Sequence, residues 1–250
     1  MINALAVGGL IMAAAVAGAQ ECSIQQGDGS VVLSSPAFAL RLSTGADLRA
    51  EWLENRLTGK RLALAGPELP DGKPAGKQAA VALVLAGEVA DLHLCLILRA
   101  EHEPDRWSGH VALPGGRVDA SDPSIRAAAI RETREEVGLR LDHAPYLGAL
   151  GTMPVSSAGQ PTGMSLSPFV FHLGDMLEGF TLSEEVAQAF WVPLQHLLDP
   201  RNATRRPTVR DGVSLDHPAV LYQGHYIWGL TYRVLTMFFE QIQLPIAGPD

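Results

Sequence analysis

The chain has 250 residues, enough for one large domain or two small ones. Hydrophobic residues make up 47% and charged residues 18%, globular values that allow a sizeable core. A formal net charge of −8 leaves no basic stripe to displace phosphate counterions. That argues against a nucleic-acid backbone binder, but not against a small phosphorylated substrate whose charge is met locally.

Residues 1–19, MINALAVGGLIMAAAVAGA, are almost uniformly apolar and small. Three readings stay open: the apolar region of a secretory signal with a site near Ala17-Gly18-Ala19, a short anchor, or an over-extended translation start. No Lys or Arg precedes the apolar run, which weighs against a signal. Its Gly and Ala content makes it only a marginal span. The two cysteines, Cys22 and Cys95, are too few for a disulfide framework. Cys95 lies in a strand-like apolar run and reads as packing.

Residues 20–45 are mixed, with Gly27, Gly29 and Ser34-Ser35-Pro36 as breakers. Ala46 to Leu57 reads as an amphipathic helix capped by Thr44 or Asp47 and closed by Gly59, with Leu48, Trp52, Leu53 and Leu57 near helical spacing. Gly66-Pro67 and Pro70 to Pro74 form a linker. The expected division is therefore an apolar leader over 1–30, an N-terminal extension with one helix over 31–76, and the main domain over 77–245. That domain opens with strands Ala79–Leu85 and Leu92–Arg99 around a hairpin connection at Gly87–Asp91. His110–Leu113 is a short strand, and Tyr146–Met153 and Leu166–Leu173 are strands flanking a loop at Pro154–Gly163. Ala189–Val192 is a strand, Pro193–Leu198 starts a short helix, Val220–Ile227 is a last strand and Gly229–Ile242 a closing helix. Strands alternating with a few helices predict an α/β sandwich around a mixed sheet.

Between His110 and Tyr146 lies the stretch that bears on chemistry. Pro114-Gly115-Gly116 leads to a helix for which Asp122 is the expected N-cap, Pro123 the first residue and Gly138 the stop. Glu132, Glu135 and Glu136 stand at i, i+3 and i+4, so they share one face within about 6 Å. Three crowded carboxylates repel, and a hard cation resolves the repulsion; oxygen ligands on a rigid helix suit Mg²⁺ or Mn²⁺. A solvated acidic face paired with Arg131 and Arg134 is the competing reading. Glycines in front of the helix favour the metal, because they let the backbone approach and offer a carbonyl. Elsewhere there is no zinc spacing, no H-E-x-x-H and no Walker pattern.

The run Gly116…Arg131-Glu132-Thr133-Arg134-Glu135-Glu136-Val137-Gly138-Leu139 resembles the Nudix box of the Nudix hydrolases. Its second half matches at every charged and glycine position, with Thr133 where an aliphatic residue is usual. In the first half Gly116 is one residue further from Arg131 than the general box has it. Asp119 and Asp122 are the nearest acids where the box has a Glu. The longer loop resembles the coenzyme A pyrophosphatase branch. So does the upstream segment, in which Arg99, Ala100, Gly109 and Pro-Gly-Gly match. There Cys95, Ile97 and Leu113 depart, and Arg106 is one residue closer to Gly109. The segment IWGLTYR resembles the C-terminal end of that branch.

The resemblance implies a Nudix α/β/α sandwich and a metal-dependent hydrolase of a pyrophosphate bond in a nucleoside diphosphate derivative. Coenzyme A or an acyl-CoA is the expected substrate. ADP-ribose, NADH or another nucleotide, or a non-catalytic nucleotide-binding regulator, are the alternatives. Glu132, Glu135, Glu136 and the Gly115 carbonyl would hold Mg²⁺ or Mn²⁺, and Glu132 or Glu185 would act as the base. Arg99 and Arg106 would bind phosphate oxygens, against ordinary surface ion pairing. Arg131 would orient a carboxylate from behind. Glu184 and Glu185 precede the Ala189–Val192 strand, where the resemblance implies a Glu that helps bind metal or activate water, against an ordinary loop acid. His110, Trp228 and Tyr232 read as structural residues. A nucleotide-type small molecule is the expected partner, with a second copy of the chain as an open alternative. The expected location is the cytoplasm, where nucleotides are, with export or anchoring through residues 1–20 as the alternative.

Overall fold

The structure, a computed structural model, describes residues 23–27, 30–34, 38–43, 49–55, 60–63, 76–88, 91–101, 107–157, 159–210, 212–241, 244 and 246–249. The leader, Cys22, Arg106 and most of the linker lie outside the described residues. Among the described residues no helix is long and apolar enough to cross a membrane.

The first part is a five-stranded antiparallel meander, β1 (Ser23–Gly27), β2 (Ser30–Ser34), β3 (Phe38–Ser43), β4 (Arg49–Asn55) and β5 (Lys60–Ala63). The expected helix over 46–57 is therefore wrong: Arg49–Asn55 is a strand. Trp52 pairs with Arg41 on one side and Ala63 on the other. Neighbouring strands thus take up the backbone groups that a helix would satisfy internally. The adjacent apolar pair Trp52-Leu53 fits either period, so local spacing could not decide.

The main sheet runs β10 (Tyr146–Ala149), β12 (Gln160–His172), β6 (Lys77–Ala86), β7 (His93–Arg99), β13 (Val186–Pro193). β11 (Met153–Ser157) pairs with β12, β8 (Val111–Ala112) with β7 and β9 (Gly115–Arg117) with β6. β12 and β6 run parallel and the other pairs antiparallel, so the sheet is mixed. Side-chain alternation builds two cores from one sheet. Leu83, Leu85, Leu94 and Leu96 pack on one face with Val234, Leu235, Phe238 and Phe239 of helix α3 (Gly229–Gln241). Ala82, Val84, Cys95 and Ile97 pack on the other with Ala128, Ala129 and Val137 of helix α1 (Ile125–Val137). The result is the expected α/β/α sandwich. Alanines on both sides of the α1 interface let the helix lie close to β6, which is buried on both faces.

Two loops differ from expectation. Most of the loop at Pro154–Gly163 is the β11–β12 hairpin, and the expected strand Tyr146–Met153 breaks near Gly148 and Gly151, both at positive φ. The expected strand Val220–Ile227 is two strands, joined at Gln223 and Gly224, both at positive φ, a hairpin turn. β15 (Val213–Tyr222) and β16 (His225–Trp228) form a three-stranded sheet with β14 (Ala203–Arg210), a strand without a sequence forecast. The short helix α2 (Leu194–Leu198) follows β13 as expected.

Candidate active site

Helix α1 begins two residues later than the Asp122 cap implies. Ser124 is the N-cap, its hydroxyl accepting from the Ala127 amide at 3.1 Å. Asp122 is buried and holds Arg131 instead: Arg131 Nε donates to Oδ1 at 2.9 Å and Nη2 to Oδ2 at 3.0 Å. Asp122 Oδ2 also accepts from the Asp119 amide at 2.8 Å. The forked pair ties the loop before the helix to the middle of the helix. Arg131 then turns Nη1 to Glu132 Oε1 and Glu135 Oε2, both at 2.9 Å. The guanidinium thus positions two of the three carboxylates from behind.

Thr133, at the position that the box leaves to an aliphatic residue, is fully buried. Its hydroxyl donates to the Ala129 carbonyl at 2.7 Å, so the polar atom costs the core little. Gly138 ends α1 at φ 78°, its amide donating to Arg134 O.

The third carboxylate, Glu136, is 3% exposed and accepts from the Gly115 amide at 2.7 Å. Arg99 Nη1 stands 3.9 Å from its other oxygen. Burial pushes the Glu136 carboxyl up to about 7 despite the Gly115 bond and Arg99, with Glu132 and Glu185 adding repulsion. Glu132 is also raised, first by burial, with Glu135 and Glu185 adding to it against Arg131. Glu185 is exposed, yet its charge acts on both carboxylates. It is brought there because Thr181 N and Ser183 N donate to the Val137 and Glu136 carbonyls, and Ala100 N to Glu185 O. Glu136 and Glu132 therefore meet the glycine loop, with Glu185 near enough for its charge to act on both and Glu135 on the exposed side of Arg131.

The glycines are there for space. A Cβ on Gly115, at φ +147°, would stand 2.2 Å from the Ala80 carbonyl. A Cβ on Gly116 would stand 2.5 Å from Glu132 Cδ. Among the described residues no group of three or more His, Cys, Asp or Glu side chains stands ready to hold a metal. Glu132 and Glu135 are engaged by Arg131, and Glu136 by the Gly115 amide. Arg106 lies outside the described residues. Trp228, read from sequence as core, is half-buried and packs against His110 at 4.9 Å. Of the site's structural residues, sequence reasoning misplaced Asp122; the acid nine residues before Arg131 was its only signal.

A mixed-sheet α/β/α sandwich, a glycine loop and a helix of clustered glutamates define a Nudix-type pyrophosphatase. The model of the NUDIX domain matches residues 76–212, and the chain belongs to that family. Membership implies divalent-metal-dependent chemistry in general. An uncharacterised protein of Schizosaccharomyces pombe is 45% identical over 116 residues, 45% of this chain and 35% of that one. The chain thus spans about a third of that relative's length. The human mitochondrial coenzyme A diphosphatase is 33% identical over 196 residues, 77% of this chain and 79% of that one. Among solved structures, a MutT/nudix family protein from Enterococcus faecalis aligns with a TM-score of 0.47 and 18% identity, over 70% of this chain and 65% of that one.

Proposed function

We propose that this chain hydrolyses the diphosphate bond of a nucleoside diphosphate derivative, with coenzyme A or an acyl-CoA as substrate. The observation that carries the reading is the meeting of Glu136 and Glu132 with the Gly115-Gly116 loop, within reach of the Glu185 charge. Similarity to the human coenzyme A diphosphatase supports the substrate, as do Arg99, Ala100, Gly109 and the longer glycine loop.

The residues suit a hard divalent cation. The donors are carboxylate oxygens, and the Glu132 and Glu136 carboxyls are both pushed up, first by burial and then by neighbouring carboxylates, a conflict that a cation relieves. In this reading Glu132, Glu135, Glu136 and the Gly115 carbonyl hold Mg²⁺ or Mn²⁺. When bound, the cation neutralises the diphosphate and lowers the pKa of a water. Glu132 or Glu185 accepts the proton of the attacking water. Arg99, beside Glu136, orients a phosphate oxygen, and Arg106 is assigned the same work from sequence. Arg131 keeps Glu132 and Glu135 aimed. Coenzyme A would yield adenosine 3′,5′-bisphosphate and 4′-phosphopantetheine. The catalytic unit in this reading is residues 77–245, acting in the cytoplasm.

The test is product analysis by mass spectrometry with coenzyme A, ADP-ribose and NADH, each with Mg²⁺, Mn²⁺ or a chelator. Metal-dependent release of both coenzyme A fragments is expected. Preference for ADP-ribose or NADH would move the substrate, and no cleavage of any of the three would sink the catalytic reading.

A further inference from the structure

The three-stranded sheet has one face in the core, through Val220 and Ile227. Its other face gathers Arg206, His217 and Trp228. Arg206 and His217 are direct partners across β14 and β15, and Trp228 pairs with Ala219 one pleat further along. The Arg206 guanidinium lies 4.0 Å from the Trp228 ring centroid. His217 approaches the same indole at 5.3 Å, with its Nε2 2.9 Å from Thr208 Oγ1. His110 meets it edge-on at 4.9 Å. All four residues are half-buried. Among the described residues no carboxylate pairs with Arg206.

A guanidinium held over an indole face by cation–π attraction still has N–H donors for an anion, and the contact restrains it beforehand. Two imidazoles stand against the same ring and bring polar ring nitrogens to it. The cluster also adjoins the site. The His110 carbonyl accepts from the Arg99 amide at 3.1 Å, and Arg99 stands beside Glu136. Thr231, at the start of α3, donates to the Val111 carbonyl at 2.9 Å and so ties the end of the three-stranded sheet to β8.

We infer that Arg206, His217, His110 and Trp228 form a second anion subsite, which receives a phosphomonoester carried by the nucleoside end of the substrate. Arg206 is the specificity-determining contact, and His217 and His110 assist it. The inference rests on the pyrophosphohydrolase reading and deepens it. The subsite selects nucleotides with a phosphate besides the scissile diphosphate over those without one.

The test uses the full chain. Binding of adenosine 3′,5′-bisphosphate and of AMP is measured by calorimetry, and kcat/KM is measured for coenzyme A and 3′-dephospho-coenzyme A. The wild type is expected to favour the extra phosphate by about tenfold or more, the effect of one charge-assisted contact. Arg206→Gln and His217→Gln should each remove much of that preference. Arg206→Lys, which keeps the charge without the fork, should retain part of it and serves if Arg206→Gln fails to fold. Equal preference in wild type and folded variants, or no preference in the wild type, overturns the subsite. If the wild type cleaves nothing but prefers the bisphosphate through Arg206, the subsite stands and the catalytic reading falls. If it cleaves both coenzymes equally well, the subsite falls alone.

Discussion

The Gly115 amide donates to Glu136 Oε2 at 2.7 Å, across 21 residues of sequence. That bond joins the glycine loop to the helix of carboxylates, and Arg131 with Asp122 joins them a second time.

Glu135→Gln should lower metal-dependent turnover by about a hundredfold or more, because it removes one anionic oxygen donor. Stability should change by no more than about 0.5 kcal/mol, since Glu135 is exposed and its pairing with Arg131 is a surface one. Steady-state kinetics beside a thermal melt check both. Full activity in a folded variant would remove Glu135 from the metal site.

The two loop glycines should fail differently. Gly115→Ala places a methyl against the Ala80 backbone at positive φ and should destabilise the fold by about 3 kcal/mol or more. Gly116→Ala meets only the flexible end of Glu132, so it should leave the melting temperature nearly unchanged while turnover falls at least about tenfold. Urea unfolding and kinetics on both variants separate a structural from a positional role.

Arg131→Met strands Asp122, which is 4% exposed at its side chain, without its cation. Loss of about 2–3 kcal/mol is expected, and Arg131→Lys should recover only part because an ammonium cannot make the fork. Removing Asp122 as well, in Asp122→Asn with Arg131→Met, should cost less than the sum of the two single changes. Strict additivity of the unfolding free energies would rule out the coupling.

Glu136 should make the metal-free protein pH-sensitive. Its folded carboxyl is raised to about 7 by burial, above the ordinary carboxylate range. Stability from the protonated form is thus fully present below the unfolded value and is lost as pH rises through about 7. In chelator, wild type should lose about 2 kcal/mol relative to Glu136→Gln between pH 5 and pH 8, and Mg²⁺ should narrow the gap at pH 8. His172, lowered by burial, acts with the opposite sign, losing stability as pH falls, and is common to both proteins. A gap independent of pH would show that the carboxyl ionises as freely folded as unfolded.

Cys95 should resist thiol reagents at pH 8 in the native protein. It is completely buried, and burial, with Glu136 nearby, pushes its thiol far above the ordinary range. Peptide mapping after brief alkylation distinguishes it from Cys22. Rapid native labelling of Cys95 would contradict its place in the α1 interface.

By itself the sequence determined the parts whose physics is local. The i, i+3, i+4 spacing of Glu132, Glu135 and Glu136 puts them on one side of a helix wherever that helix packs. The apolar runs at 79–85 and 92–99 read as the central hairpin for the same reason, and Gly138 as the helix stop. Long-range contacts decided the rest. Trp52-Leu53 became strand because partners lay on both sides, not because of its own period. Asp122 left the capping role to Ser124 because Arg131, nine residues on, offered two hydrogen bonds to its buried carboxylate. Glu185 reached the carboxylates through backbone bonds from its loop to the end of α1, which no spacing along the chain encodes. The stacking of Arg206 on Trp228 likewise depends on the register of three strands. Spacing along one helix is a property of the chain, whereas burial, pairing and the shifted ionisation of Glu136 exist only once distant segments exclude water together.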